Sequence, residues 1–413
     1  MSIRQRLYPS SGQLPVLSMH AAHARFVFNL GLEQRKMWHP FKRGTFKVSY
    51  ISQARELTES RKAFPWLAEG STVVQQGALR DLDRAYKNWW SNPSHFGAPT
   101  YRSRDRNQGF IVRDLTVRRL NRKWATLTVP KAGVVKFRLT RAWAEITTAT
   151  SARVTVSPSG QWHVSLTTPP AFFERTSTGA VVGIDRGVAQ TISTSDGAHA
   201  SIPTLTHGEQ GRFLALERRL ARQVKGSARR EATKKTLNRL RDCLRNRRTD
   251  WIEKTTTALV RDYDLIALEA LQTRNMVKAP APKPDPENEG AFLANGARAK
   301  AGLNRVILAS CWGEFARRLT DKAAMAPEHH PVHVVLVDPK NTSRECHGCG
   351  HTSKENRKSQ AVFHCTRCGH TAHADTNAAR NILARALNTL PPDGRSTDAS
   401  ATSRCSVKPE KAA

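Results

Sequence analysis

The sequence predicts a multidomain α+β protein. A helical region and a small β-barrel are expected to precede an α/β core that carries a four-cysteine metal module. Three observations support this. At 413 residues with 39% hydrophobic content, the chain exceeds what one core usually serves. Between Phe110 and Thr168 short β-rich runs recur, each bounded by turn residues, whereas beyond Gly179 strand and helix patterns alternate. Two CxxC pairs stand late in that second half.

Residues 3 to 8 read as a short strand, and residues 13 to 38 carry Leu17, Ala21, Ala24, Phe28 and Leu32 at helical spacing. Val73 to Trp90 reads as a second amphipathic helix, broken by Pro93 and Gly97-Ala98-Pro99. The runs Thr126-Leu127-Thr128-Val129, Val134-Val135-Lys136-Phe137 and Trp162-His163-Val164-Ser165-Leu166 supply barrel strands. Residues 13–107 are therefore assigned to the helical region and 108–178 to the barrel, with Pro169-Pro170 opening a linker. Strands at 180 to 185 and near 190 to 194, helices from 208 to 260 and a strand at 263 to 269 follow, an order that fits an RNase H-like core. Residues 279 to 290 read as a mobile loop, 303 to 324 as a helix and 332 to 338 as a strand. The α/β domain is placed at 179–340 and 371–390, the metal module at 341–370, and a disordered tail at 391–413.

Lys and Arg number 66 against 34 Asp and Glu, a formal charge of +32, which predicts a polyanionic partner and not a small-molecule substrate. No run reaches the roughly 18 apolar residues of a membrane span, and the N-terminus leads into no signal-peptide core, so a cytoplasmic protein without membrane partners is expected. Cys243, Cys311 and Cys405 show no pairing pattern, as a reducing compartment allows. Residues 212 to 248 concentrate basic side chains, among them Arg218, Arg219, Arg222, Arg229, Arg230, Lys234 and Lys235, against only Glu217, Glu231 and Asp242. Such one-sided charge suits a nucleic-acid backbone; a solvated helix face is the plainer alternative. A second cluster includes Arg102, Arg104, Arg106, Arg118, Arg119 and Arg122, near Tyr86, Trp89, Trp90 and Tyr101, which either stack on bases or pack the helix core.

Cys346 and Cys349 form one CxxC, Cys365 and Cys368 the other, with fifteen residues between. Two such turns can each offer Zn²⁺ a pair of thiolates, and four thiolates leave no position for water, so the zinc is structural. A redox dithiol, or replacement of a thiolate by His347, His351, His364 or His370, are the alternatives.

Three carboxylates stand where strands or helices end or begin: Asp185 after Val181-Val182-Gly183-Ile184, Glu269 after Leu265-Ile266-Ala267-Leu268, and Asp375 before Thr376-Asn377-Ala378-Ala379. Acids placed this way suit Mg²⁺, a hard cation that takes a few carboxylates and keeps several waters. Singly, Asp185 could cap a turn, Glu269 could form a salt bridge and Asp375 could cap a helix. Together, Gly183-Ile184-Asp185-Arg186-Gly187, Leu268-Glu269-Ala270-Leu271, Asn275-Met276 and Asp375-Thr376-Asn377-Ala378-Ala379 resemble the three RuvC segments of TnpB, the RNA-guided nuclease of certain bacterial transposons, and of compact type V CRISPR effectors. The resemblance continues through Leu303-Asn304-Arg305, Trp312-Gly313-Glu314-Phe315 and Thr342-Ser343-Arg344-Glu345-Cys346, and more thinly upstream, covering most of residues 3 to 388.

The resemblance implies a wedge-like barrel of residues 1–12 and 108–178 interrupted by a helical recognition region at 13–107, followed by a RuvC nuclease domain. It also implies that Asp185, Glu269 and Asp375 bind Mg²⁺ and hydrolyse DNA selected by a guide RNA beside a short flanking motif. Gln76 falls near where that motif would be read, and Gln can pair with adenine in the major groove; a surface glutamine is the alternative. One departure is His373-Ala374, where many relatives have another aspartate; the Asp-Xaa-Asn spacing is intact. Two rival readings stay open: an RNA-guided DNA-binding protein that cuts weakly or not at all, and a guide-independent, transposase-associated DNA-binding protein.

Overall fold

The structure is a computed structural model describing residues 2–37, 48–104, 108–169, 174–288 and 290–389. The tail from 391 to 413, with Cys405, and Arg106 lie outside the described residues. The chain divides into two compact units, Met1–Ala171 with Leu205–Arg245, and Phe172–Thr204 with Asn246–Ala413.

In the first unit β1 (Ser2–Tyr8) leads into α1 (Gln13–Met37), α2 (Tyr50–Ala63), α3 (Pro65–Ala68) and α4 (Thr72–Ser91). Then come β2 (Gly109–Val112), β3 (Val117–Arg119), β4 (Trp124–Val129), β5 (Gly133–Arg138), α5 (Trp143–Thr147), β6 (Ser151–Val156) and β7 (Trp162–Thr167). The strands form one antiparallel sheet in the order β2-β6-β7-β1-β5-β4-β3. Strand β1 alternates strictly, burying Ile3, Gln5 and Leu7. It pairs with β7 through Ser2 to Arg6 and with β5 through Leu7 and Tyr8. A strand that changes partners along its length is a means of folding a sheet over on itself. The inserted helices share the sheet's core, where Leu17, Phe28, Leu79 and Leu82 join Phe110, Leu127 and Leu166 in one buried cluster. Trp89 packs against that cluster while Trp90 is 64% exposed, so the two neighbouring indoles divide between packing and surface.

The second half carries β8 (Val181–Asp185), β9 (Ile192–Thr194), β10 (His199–Ala200), α6 (His207–Arg222), α7 (Ala228–Asp262) and β11 (Leu265–Glu269). Next are α8 (Thr273–Met276), β12 (Lys283–Pro284), β13 (Phe292–Leu293), α9 (Ala297–Ala309), α10 (Trp312–Ala323) and β14 (His333–Val337). Last come β15 (Val362–His364), β16 (Thr371–His373) and α11 (Ala374–Thr389). The five-stranded sheet runs β10-β9-β8-β11-β14, with β8, β11 and β14 parallel and β9 antiparallel to β8. Apolar runs buried on both faces, such as Leu265 to Leu268, are what a parallel sheet covered by helices requires.

Three boundaries differ from the sequence reading. Leu205–Arg245 groups with the first unit: buried Asp242 accepts from Ser159 Oγ at 2.5 Å and Asn238 donates to the Pro158 carbonyl at 3.2 Å. The helix expected over 303–324 is two helices, because Cys311 sits at φ 53° between α9 and α10. The stretch from 279 contains a short hairpin, β12 with β13. Among the described residues, no helix is long and apolar enough to cross a membrane.

Candidate active site and metal centre

Strands β8 and β11 run parallel with Leu268 opposite Ile184, so Asp185 and Glu269 end adjacent strands side by side. The carboxyl ends of parallel strands are where open α/β sheets bind ligands. Helix α11 brings the third acid. It packs on β8 at Gly183, where a Cβ would run into the Ala379 carbonyl oxygen and sit 2.8 Å from Leu383 Cβ and N. Asp185 lies two residues beyond Gly183, on the same face of the strand, and Asp375 lies four residues before Ala379, on the same face of the helix. The missing side chain of Gly183 thus lets two acids distant in sequence come together.

Glu269 and Asp375 are buried and Asp185 is half-buried beside them. Burial, then the charges of Glu269 and Asp375, push the Asp185 carboxyl up to about 7, with Arg357 opposing. Burial also raises Glu269, against the hydrogen bond from Thr342 and the charges of Arg186 and Arg385. Thr342 Oγ1 donates to Glu269 Oε1 at 2.6 Å, and Arg357 donates to Asp375 Oδ1 at 2.9 Å. Buried Arg186 donates to the backbone carbonyl of Glu269 and, at 3.4 Å, to that of Trp312, bracing the strand end from below. A divalent cation beside Asp185 would relieve the crowding of negative charge there and favour its ionised form.

The four cysteines are drawn tighter. Among the described residues theirs is the ligand set whose atoms all lie within 4.8 Å of one another. The sulfurs of Cys346 and Cys368 are 3.7 Å apart and those of Cys349 and Cys365 are 3.6 Å apart. Zn–S bonds of about 2.3 Å in a tetrahedron space sulfurs by about 3.8 Å, so the set fits Zn²⁺ without rearrangement. Each CxxC turn closes through a left-handed glycine: Gly350 (φ 71°) donates to Cys346 O and Gly369 (φ 72°) to Cys365 O. Phe363 and Ala374 pack with Cys346 and Cys365, so the module's small core abuts the residue preceding Asp375. Buried Asn377 and Asn381 complete the join, donating to the Glu345 carbonyl at 2.8 and 2.7 Å, while Asn381 also donates to that of Thr342. His347, His351, His364 and His370 stand outside the ligand set.

The expected nucleic-acid residues are spread over unlike settings. Arg218, Arg219 and Arg222 on α6, and Arg229 and Lys235 on α7, are exposed. Arg230 instead turns back to the carbonyls of Leu220 and Gln223, and Lys234 pairs with Glu231 at 2.7 Å. Arg104 is exposed, whereas Arg102 is tied to Asp81 at 2.9 Å and lies over the Phe28 ring. Gln76 is half-buried on α4, beside the fully buried Gln75. Sequence reasoning assigned no role to Thr342, Arg357, Asn381 or Arg186. Thr342 and Arg186 lay inside quoted motifs; Arg357 sits in a polar stretch that gives no signal.

Three family models match: a probable transposase model, OrfB_IS605, over residues 161–279, a Cas12f1-like TNB domain over 312–382, and a helix-turn-helix domain over 1–41. The first spans Asp185 and Glu269, the second the four cysteines and Asp375. The chain is 34% identical to the "Putative RNA-guided DNA endonuclease InsQ" of Escherichia coli (strain K12), covering 92% of this chain and 90% of that protein. It belongs to the TnpB-like family. A second TnpB-like relative, the "Putative RNA-guided DNA endonuclease" of Streptomyces pristinaespiralis, is 29% identical over 99% of this chain and 96% of its own length. Among solved structures, a Cas12f1-sgRNA-target DNA complex superposes with a TM-score of 0.52 at 14% identity, covering 88% of this chain and 81% of that one, a likeness of fold.

Proposed function

We propose that this TnpB-like protein is an RNA-guided DNA endonuclease: a bound guide RNA pairs with target DNA beside a short flanking motif, and one carboxylate site hydrolyses the exposed strand. The observation that carries this reading is the meeting of Asp185, Glu269 and Asp375, with Asp185 pushed up to about 7 by burial and by its two acidic neighbours. The parallel strands β8, β11 and β14 with antiparallel β9 support reading this unit as an RNase H-like RuvC domain. The first unit's sheet, with β1 changing partners, supports reading it as a wedge-like barrel with the inserted helices as a recognition region.

Asp185, Glu269 and Asp375 would hold Mg²⁺, which when bound supplies an activated water and charge neutralisation at the scissile phosphate. Thr342 fixes the rotamer of Glu269 and Arg357 that of Asp375, so the acids are held before the strand arrives. Cys346, Cys349, Cys365 and Cys368 would hold Zn²⁺, which fixes the module that presents Arg357. The exposed arginines of α6 and α7 are suited to backbone phosphates of guide RNA or heteroduplex, and Gln76 to the flanking motif.

The test uses the purified protein loaded with its copurifying RNA, a matched duplex and Mg²⁺. Scission of the matched target, absent with a mismatched guide or with chelator, is expected. A target that is bound but stays intact would replace this reading with an RNA-guided binder.

A further inference from the structure

Two imidazoles beside the acids have no part in the reading above. Strand β9 pairs with β8 so that Ser193 stands opposite Asp185. Ser193 is buried, and its Oγ lies 2.8 Å from Nδ1 of His199 on the next strand, β10. The ring of His199 packs on that of His373, with centroids 4.6 Å apart and planes tilted by 54°. His373 ends β16 two residues before Asp375. The pair is therefore fixed at one end to the strand partner of Asp185 and at the other to the segment that delivers Asp375. Both side chains are exposed, whereas Glu269 and Asp375 are buried and Asp185 is half-buried.

Which nitrogen of a histidine carries its proton follows from the partner of the other. Of the two tautomers this contact allows, the one in which the Ser193 hydroxyl donates to Nδ1 leaves the hydrogen of His199 on Nε2, available to a ligand. Three carboxylates repel a polyanionic strand, so donors at their rim are needed to draw a phosphate in. We propose that His199 and His373 form a phosphate-positioning pair that hydrogen-bonds a non-bridging oxygen of the DNA backbone next to the scissile bond. This rests on the nuclease reading. The pair acts as donors to the strand and leaves cation binding to the three acids.

Single-turnover cutting by the RNA-loaded protein tests the pair. His199→Ala and His373→Ala should each slow cutting about tenfold, the worth of one hydrogen bond to a charged group, with guide and target affinities unchanged. His199→Gln should recover most of the rate, because its amide N–H can replace that of Nε2. A methylphosphonate walked along the target backbone should slow the wild type at one position flanking the cut, and cost His199→Ala little more at that position. Alanine variants cutting at the wild-type rate, or a methylphosphonate penalty undiminished in His199→Ala, would overturn the pair's role while leaving the nuclease reading intact. A wild type that never cuts would remove the nuclease reading, and the pair's role with it.

Discussion

The cysteine cluster and the carboxylate cluster both gather side chains that can bind metal, and they are built in opposite ways. The cysteines reach one another through two short turns, each closed by a left-handed glycine, and their sulfurs sit at zinc spacing. The acids come from two strand ends and a helix start, brought together by a parallel register and by one close helix-on-strand approach at Gly183. Local turn chemistry assembles the first; tertiary packing assembles the second. The cysteine module should therefore tolerate changes in the sheet better than the acid pocket does, and the two can be broken separately.

The largest effect is expected from Cys365→Ser, which removes one of four thiolates. Metal analysis should find the bound zinc lost, and residues 341–370 should become protease-sensitive, because structural zinc binding and local folding are one equilibrium. Normal zinc content in this variant would dissolve the distinction between the clusters.

Gly183→Ala comes next. The added methyl meets the Ala379 carbonyl and Leu383, so α11 must move, at a cost of about 3 kcal/mol. Denaturant melts should show the loss and cutting should fall, while zinc content stays normal. Unchanged stability would mean that the close approach does not position the acids.

A smaller effect is expected for Thr342→Val, which keeps the shape but removes the donor to Glu269. The loss is about 1–2 kcal/mol in the metal-free protein, with slower cutting that higher Mg²⁺ partly restores. A cutting rate equal to wild type at every Mg²⁺ concentration would remove Thr342 from the site.

The most gradual effect is on pH. The folded-state Asp185 carboxyl lies near 7, above its unfolded value, so between about pH 4 and 7 the metal-free native state binds the extra proton. The stability that the protonated group confers is present below the unfolded value and is lost as pH rises through about 7. The thermal midpoint of metal-free protein should decline over this window, and Asp185→Asn should flatten the decline. A midpoint rising in parallel for both would contradict the repulsive pocket.

Much of this architecture was legible in the residues because the relevant signals are local. Leu17, Ala21, Ala24, Phe28 and Leu32 marked α1, alternation marked β1, and CxxC spacing marked the knuckle. Asp185 and Glu269 stood out because apolar strand runs end on them, and Asp375 because it opens a helical run. What stayed hidden depends on contacts between distant segments. Arg102, expected to meet nucleic acid, is instead tied to Asp81 and lies over the Phe28 ring, contacts that its neighbours in sequence do not signal. Arg357 lies in a polar stretch whose approach to Asp375 only the folded knuckle creates. The assignment of 205–245 to the first unit turns on Asp242, one of the few acids in a strongly basic stretch, which accepts from Ser159.

The most direct test compares RNA-loaded wild type with Asp185→Ala on a matched target in Mg²⁺, measuring binding and scission in the same samples. Equal target affinity with cutting slowed on the order of a thousandfold or more is the expected result. A variant that binds and cuts like wild type would show that the buried carboxylates are not where the phosphodiester is broken.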